Sequence, residues 1–498
     1  MSDDVKNENN NLPGLRKSYL SSIEVLAQSI AGIAPSVTFA LVIPLVASFA
    51  GTGTWLAYFF AMIACILVAV NLNQFTKRSA SPGNLYAFIV KGLGTDIGVI
   101  SGWAMVLAYL LTASAILCGF INYANVLLAY AGITVPAILI GIIGVFIAWL
   151  IAVKDIKLSA RIMLTFEATS VALIIILAAV VLLKHGFVVD HAQVSLQGVS
   201  LSSLGIGLVL AFFSYCGFES ATSLGVEAKS PLKTIPRAVI ISLLLVGLLF
   251  VLLSYTEIVG FQDNSTALSN AAAPLTDLAN LNGVSLLGPL ISIGALISCW
   301  ACFLACTNAG ARILFLMGEH RVLPSVIGNT HVKNKTPHVA ITLSVIIAAV
   351  VPFILILNNG GLYDIYGWLG TIATYGFILA YALVSISAPL YLYREKELKR
   401  RHVALSAVTI LVLLIPIVGS IYSNATSGAP YSWFIFIFIG WLVVGVVWFY
   451  ITKARTPGVA AGITDNVEGV HQHFRKQRAD EDIARKELAE TKPSEPHV

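Results

Sequence analysis

The sequence predicts an all-α polytopic membrane protein of twelve transmembrane helices, with spans 1 and 6 broken in mid-membrane and each heading a set of five. Three observations carry this. Of 498 residues, 57% are hydrophobic and 11% charged, against roughly 25% charged in soluble domains. Apolar runs longer than the roughly 20 residues that cross a bilayer start near residues 22, 53, 97, 133, 158, 201, 237, 285, 338, 364, 403 and 431. Two of them are interrupted, by Gly32-Ile33-Ala34-Pro35-Ser36 and by Ser214-Tyr215-Cys216-Gly217-Phe218-Glu219. Such breaks free backbone groups that lipid cannot satisfy, so they survive where they are buried in protein or line a cavity.

The elements follow in order. Residues 1–20 are polar and lack the basic start, short apolar core and small-residue site of a removable signal peptide, so the first span is expected to stay. Residues 21–200 hold spans 1–5 and 201–400 hold spans 6–10, the two candidate repeats; spans 11 and 12 occupy 401–453. Basic residues gather on one side, among them Lys77, Arg78, Lys91, Lys154, Arg161, Lys229, Lys233, Arg237, Arg394 and Arg400. Only Lys184 of the 30 Lys and Arg falls clearly on the other side. Because basic loops stay inside, both termini are expected in the cytoplasm of a multi-pass inner-membrane protein. Topology thereby accounts for the net charge of +5, which does not point to nucleic acid. Segments 185–200 and 259–284 are expected outside. Residues 454–498 form a polar tail; from Thr456 on it has six basic and eight acidic residues, and it is expected to be solvated and to pack little.

Paired broken segments at matching positions are a sequence pointer to the binding site of a secondary transporter. Gly32 and Gly217 allow close approach to bare backbone, and the half-helix after Pro35 turns its positive end toward the break, where a carboxylate is stabilised. An ammonium would meet the freed carbonyls, so a zwitterion fits. The substrate-contacting set is Gly32, Ile33, Ala34, Ser36, Phe213, Ser214, Tyr215 and Gly217, with Phe213 as an aromatic gate. Packing through small residues is the other use of such glycines. Gln28, Ser29, Ser36, Ser298, Thr307 and Asn308 are expected to face protein rather than lipid.

Three acidic residues are read within the spans: Glu24 at the entrance to span 1, Glu167 in span 5 and Glu219 after the second break. Glu167 lies about ten residues into its helix, roughly 15 Å deep. A carboxylate there is protonated, paired or in a wet cavity. Glu167 and Glu219 are the candidate coupling groups for protons; a hydrogen bond from a neutral Glu to a freed carbonyl is the structural alternative.

Other classes fall away. The six cysteines lie within spans, without the spacing of a disulfide framework or zinc site. No phosphate-binding loop, HExxH or EF-hand pattern occurs, and the nine histidines avoid the membrane interior. Neither an enzyme nor a cofactor or metal is expected.

The chain resembles the amino acid/polyamine/organocation transporter superfamily from about residue 20 to 450. Ser81-Pro82-Gly83-Asn84-Leu85-Tyr86 looks like its Pro-x-Gly-Gly-x-Tyr and is followed by Gly102-Trp103. Gly217-Phe218-Glu219 looks like its Gly-Phe-Glu, with Glu227, Pro231 and Pro236-Arg237-Ala238 matching the elements after it, and Arg312 to Leu323-Pro324 matching the segment after span 8. The resemblance implies a LeuT-like five-plus-five inverted repeat, a site between spans 1 and 6, and import or exchange of amino acids or amines. It also makes Glu219 the span-6 glutamate and Phe213 the gate. Three departures stand out: Pro35 directly follows Gly32-Ile33-Ala34, Ser170 stands where some relatives place a lysine, and Arg321 replaces a glycine. Proton symport is the leading expectation, with exchange, sodium coupling through Ser170 and Ser298, and a non-transporting sensor or channel as alternatives.

Overall fold

A computed structural model describes residues 15, 17–154, 156–271, 273–426 and 430–490. Most of the 1–20 segment and residues 491–498 lie outside the described residues. Helix α1 (Ser22–Ile33) begins as Ser21 donates its backbone N–H to Glu24 at 2.8 Å, which satisfies a donor the helix leaves unpaired. It stops at Ala34, whose φ of 51° is left-handed. Pro35 then starts a new helical segment, its fixed φ and missing N–H suiting a first turn. That segment runs through a π-helical turn, Thr38–Val42, into α2 (Ile43–Ala50). Gly51 (φ 54°) turns the chain into α3 (Thr54–Thr76).

There follow α4 (Leu85–Leu93), α5 (Thr95–Tyr130), α6 (Ala137–Lys154), α7 (Ile156–Lys184) and α8 (Leu201–Tyr215), which closes the first half of the second broken segment. A 3₁₀ turn, Phe218–Leu224, continues it. Next come α9 (Pro231–Gly260), the short α10 (Ser265–Asn270) and α11 (Pro274–Leu281), then α12 (Leu287–Glu319), α13 (His338–Leu357), α14 (Leu362–Arg394), α15 (Arg400–Thr426), α16 (Phe434–Arg455) and α17 (Val459–Glu490).

Among the described residues eleven runs are long and apolar enough to cross a membrane, the first being the 55-residue stretch Ser22–Thr76. Sequence-read starts at 53, 97, 338 and 364 meet helices beginning at 54, 95, 338 and 362. Helix α5 is the central post, packed along both α12 and α14; α3 packs on α9, α7 on α12, and α1 on α7, α9 and the 3₁₀ turn. The outer helices α6, α15 and α16 expose Ile142, Phe146, Leu411, Phe436 and Val444, as lipid-facing surfaces require. A buried ion pair braces the interior: Arg312 of α12 donates from Nε and Nη2 to Glu227 at 3.0 and 2.8 Å.

The tail departs from expectation. Val459, Ile463, Val470 and Phe474 are buried, with Val467 packed beside them, on one stripe of α17 that docks against the basic face. Lys91 reaches Glu468 at 2.9 Å, His320 meets Asn466 at 3.0 Å, and Thr464 meets Thr95 at 3.0 Å. The helical spacing of five apolar residues outweighs the charge content that suggested a solvated segment.

Candidate functional site

The two breaks meet backbone to backbone. A Cβ added to Gly32 would lie 2.7 Å from the Gly217 carbonyl oxygen, and one on Gly217 would lie 2.5 Å from that of Gly32. Gly217 also has φ 102°, so close packing and a left-handed turn both demand glycine. Nearby hydroxyls satisfy carbonyls around the breaks, Ser29 donating to Phe218 O at 2.5 Å and Ser220 to Gln28 O at 3.0 Å, while Gln28 Nε2 ties α1 to Ala305 O of α12 at 3.1 Å. Gln28, Ser29, Ser36, Ser298, Thr307 and Asn308 are all buried.

Glu167, 1% exposed on α7, accepts the Ser36 backbone N–H at 2.9 Å and the Ser298 hydroxyl at 2.5 Å. One carboxylate therefore joins α7, the start of the post-Pro35 segment and α12. It sits at the positive end of that segment, where the macrodipole and an N–H without a partner inside the helix favour an anion. The sequence assigned this place to a solute carboxylate; in the observed conformation the protein's own carboxylate holds the Ser36 donor. Ser170 packs nearby on α7, buried against Gly294 of α12.

Glu219 is differently served. It accepts Tyr109 Oη at 2.6 Å, Tyr381 Oη at 2.5 Å and the Gly217 N–H at 3.2 Å. Behind it, Asn84 Nδ2 donates to Tyr109 Oη at 3.0 Å, and Asn84 Oδ1 accepts from Thr222 at 2.5 Å and from the Leu85 N–H at 2.7 Å. Asn84 has φ 52° and ψ −139°, and these partners hold it in that uncommon conformation. The sequence reading missed Tyr109 and Tyr381. A buried tyrosine hydroxyl within an apolar span needs a partner, and that signal could have found them.

The other expected site residues divide. Ile33 and Ala34 are buried at the first break. Phe213 of α8 stands edge-on to Tyr366, ring centroids 6.5 Å apart, and lies against Gly370, both of α14. Ser214 meets the Tyr58 hydroxyl at 3.2 Å. Tyr215 donates to Tyr58 O at 3.0 Å and packs edge-on to Phe250, so it faces α3 and α9. Glu257 corrects the count of three membrane carboxylates: it lies inside α9, three residues from the helix end, and is 2% exposed.

The amino acid permease family profile matches residues 24–468. The chain belongs to that family. Among relatives of this permease, the branched-chain amino acid permease BcaP of Bacillus subtilis is 24% identical, covering 82% of this chain and 87% of BcaP. The methylthioribose transporter of the same organism is 23% identical over 88% of this chain and 93% of its own length. The low-affinity putrescine importer PlaP of Escherichia coli is 27% identical over 58% of this chain and 64% of PlaP. This permease is thus a transporter rather than an enzyme, embedded in the bilayer through many apolar helices and acting on a small molecule.

Proposed function

We propose that this permease takes up an amino acid or a related amine by proton-coupled symport, alternating access around the breaks of spans 1 and 6. The single observation that carries the reading is Glu167, buried between Ser36 and Ser298. An ionised Glu167 and a solute carboxylate compete for one positive helix end. A proton delivered to Glu167 removes its negative charge, weakens its hold on the Ser36 N–H and leaves that end for the solute anion. One proton then accompanies one solute by simple charge exclusion. Relatives named for branched-chain amino acids and for putrescine support the substrate class.

In this reading the 55-residue run supplies two crossings, giving twelve in the inner membrane, with both termini and the basic face in the cytoplasm. Span 1 packs on span 6, 2 on 7, 3 on 8 and 4 on 9, the pairing that a LeuT-like inverted repeat produces around a central pseudo-twofold axis. The domains are then 21–200, 201–400 and 401–453, with α17 docked inside.

The test is uptake into proteoliposomes of a labelled panel, the twenty common amino acids and putrescine, under a pH gradient, a sodium gradient or internal unlabelled solute. Accumulation driven by the pH gradient and lost in Glu167→Gln supports symport. Uptake that needs internal solute makes the protein an exchanger, and sodium-driven uptake assigns Glu167, Ser170 and Ser298 to that ion. Flux that never exceeds equilibrium would mark a channel or sensor.

A further inference from the structure

Helix α17 lies across the basic-face ends of helices from two packing groups. Helix α9 gathers α1, α3 and the 3₁₀ turn of the second break, whereas α5 gathers α4, α12 and α14. The docked helix touches both. Val470 and Phe474 are buried against Ala80, in the link between α3 and α4, with Leu232 of α9 beside them. On the other group, Glu468 takes Lys91 of α4 at 2.9 Å, Thr464 meets Thr95 of α5 at 3.0 Å, and Asn466 meets His320 at the end of α12 at 3.0 Å. His471 stands edge-on to Tyr391 of α14.

The link that α17 covers also touches the second break. A Cβ added to Gly225, directly after the 3₁₀ turn, would lie 2.9 Å from Ala80 Cβ and 2.7 Å from Ser81 N. Ala80 thus meets the tail and the end of the broken segment at once. Further along the same link, Asn84 accepts from Thr222 of that turn at 2.5 Å and donates to Tyr109, which donates to Glu219. His320, engaged by Asn466, has its Nδ1 2.7 Å from Tyr86 Oη, and the Tyr86 ring lies against Gly102 of α5. One route therefore runs from Phe474 through Ala80 to Gly225, and another from Asn466 through His320 to Tyr86. Every step in both is a packing contact or a hydrogen bond.

We propose that α17 is an autoinhibitory latch on the basic-face gate: docked, it holds the α9 group against the α5 group and keeps that side closed; released, it lets the side open. The idea rests on the alternating-access part of the reading above and not on the proton. Alternating access moves one set of helices against another around the site. An element seated on both sets must let go of one before they part. The seat that yields is the one at Ala80 and Leu232, where Val470 and Phe474 hold by apolar contact, which is non-directional and has no bond geometry to remake on closing. The polar seat on Lys91, Thr95 and His320 keeps the helix with the α5 group meanwhile.

Two variants push the latch in opposite directions. Val470→Ser with Phe474→Ser loosens the yielding seat; Leu232→Cys with Phe474→Cys, bridged by a short bifunctional thiol reagent and freed by dithiothreitol, fixes it. The readout is exchange of the fastest panel solute across proteoliposomes at equal pH on both sides, which needs no proton gradient. Because the rate follows the fraction of molecules free to open, the loosened variant is expected to exchange at least about threefold faster and the bridged one at least about tenfold slower, with reductant restoring the unbridged rate. The two single-cysteine variants, treated alike, are expected to match the unmodified protein. Unmodified protein that neither exchanges nor concentrates solute sinks the alternating-access reading and the latch with it. Where the unmodified protein exchanges, a folded loosened variant that is no faster, a bridge that does not form, or a bridged protein that exchanges as before overturns the latch alone. Should the loosened variant fail to fold, the bridged pair still decides, since its loss and recovery are read on one folded sample.

Discussion

Glu167 and Glu219 are equally buried and each stands at a helix break, yet their surroundings differ in kind. Glu219 accepts two tyrosine hydroxyls and a backbone N–H, and an asparagine network behind it fixes Tyr109. Glu167 has two donors from two different segments, one of them the first N–H after Pro35. A saturated carboxylate fixes the second break; a sparsely held one at a helix end can trade its partner for a proton. Glu227, held by the Arg312 guanidinium through two nitrogens, marks the fixed extreme. Burial therefore does not tell the two carboxylates apart, whereas the number of their donors and the segments that supply them do, and the proposed coupling role of Glu167 rests on that difference.

Three substitutions sharpen the contrast. The largest effect is expected for Arg312→Met, which leaves Glu227 without its guanidinium and should destabilise the protein by about 3–5 kcal/mol, read as a fall in detergent melting temperature. Unchanged melting would mean that the pair contributes little and that donor count is a poor guide. Tyr381→Phe takes one of three donors from Glu219 and should cost about 1.5–3 kcal/mol while leaving the response to a pH gradient intact. Loss of that response would move the coupling role to Glu219. Glu167→Gln should be nearly as stable as the unmodified protein, because an amide oxygen can still accept from Ser36 and Ser298. Its gradient-driven accumulation should nonetheless drop at least about tenfold, worth about 1.4 kcal/mol. A variant that still concentrates solute would break the comparison altogether.

How much of this was legible depended on range. Spans, breaks and the basic face are properties of continuous sequence, and hydropathy, Pro35 and the Lys/Arg bias place them. The glycines were legible as sites of close approach, but that Gly32 and Gly217 face each other is a fact of two segments 185 positions apart. Ser298 as the partner of Glu167, and Tyr109 and Tyr381 as partners of Glu219, come from α5, α12 and α14 and leave no local pattern. Glu257 was readable, lying inside an apolar run two residues before the expected exterior segment 259–284, and it was left out of the count of membrane carboxylates. The docked tail was readable too: Val459, Ile463, Val467, Val470 and Phe474 recur at helical spacing beneath a charge density that hid them.

The smallest effect expected at neutral pH concerns that tail, where the same rule about poorly served buried groups applies outside the membrane. His471 of α17 is buried edge-on to Tyr391 and lies 3.3 Å from Glu395. Burial, then the nearby Lys91 charge, push it down to about 4; burial also pushes His320, the partner of Asn466, down to about 4. Glu468, which burial alone would raise, is held below its ordinary value by Lys91. The signs agree. Above about pH 6.5 both histidines are neutral whether α17 is docked or free, and docking is at full strength. As pH falls from there toward 4, the freed helix and its seat bind protons that the docked state refuses, so docking weakens; loss of the Glu468 charge adds to this at the acid end. Hydrogen exchange of residues 459–476 should therefore be slow at pH 7.5 and, corrected for intrinsic rate, faster at pH 5. His471→Phe, keeping the ring against Tyr391, should remove a large part of that acceleration. Protection that ignores pH, or an acid response that His471→Phe leaves whole, would show that the docked helix is held by its apolar stripe alone.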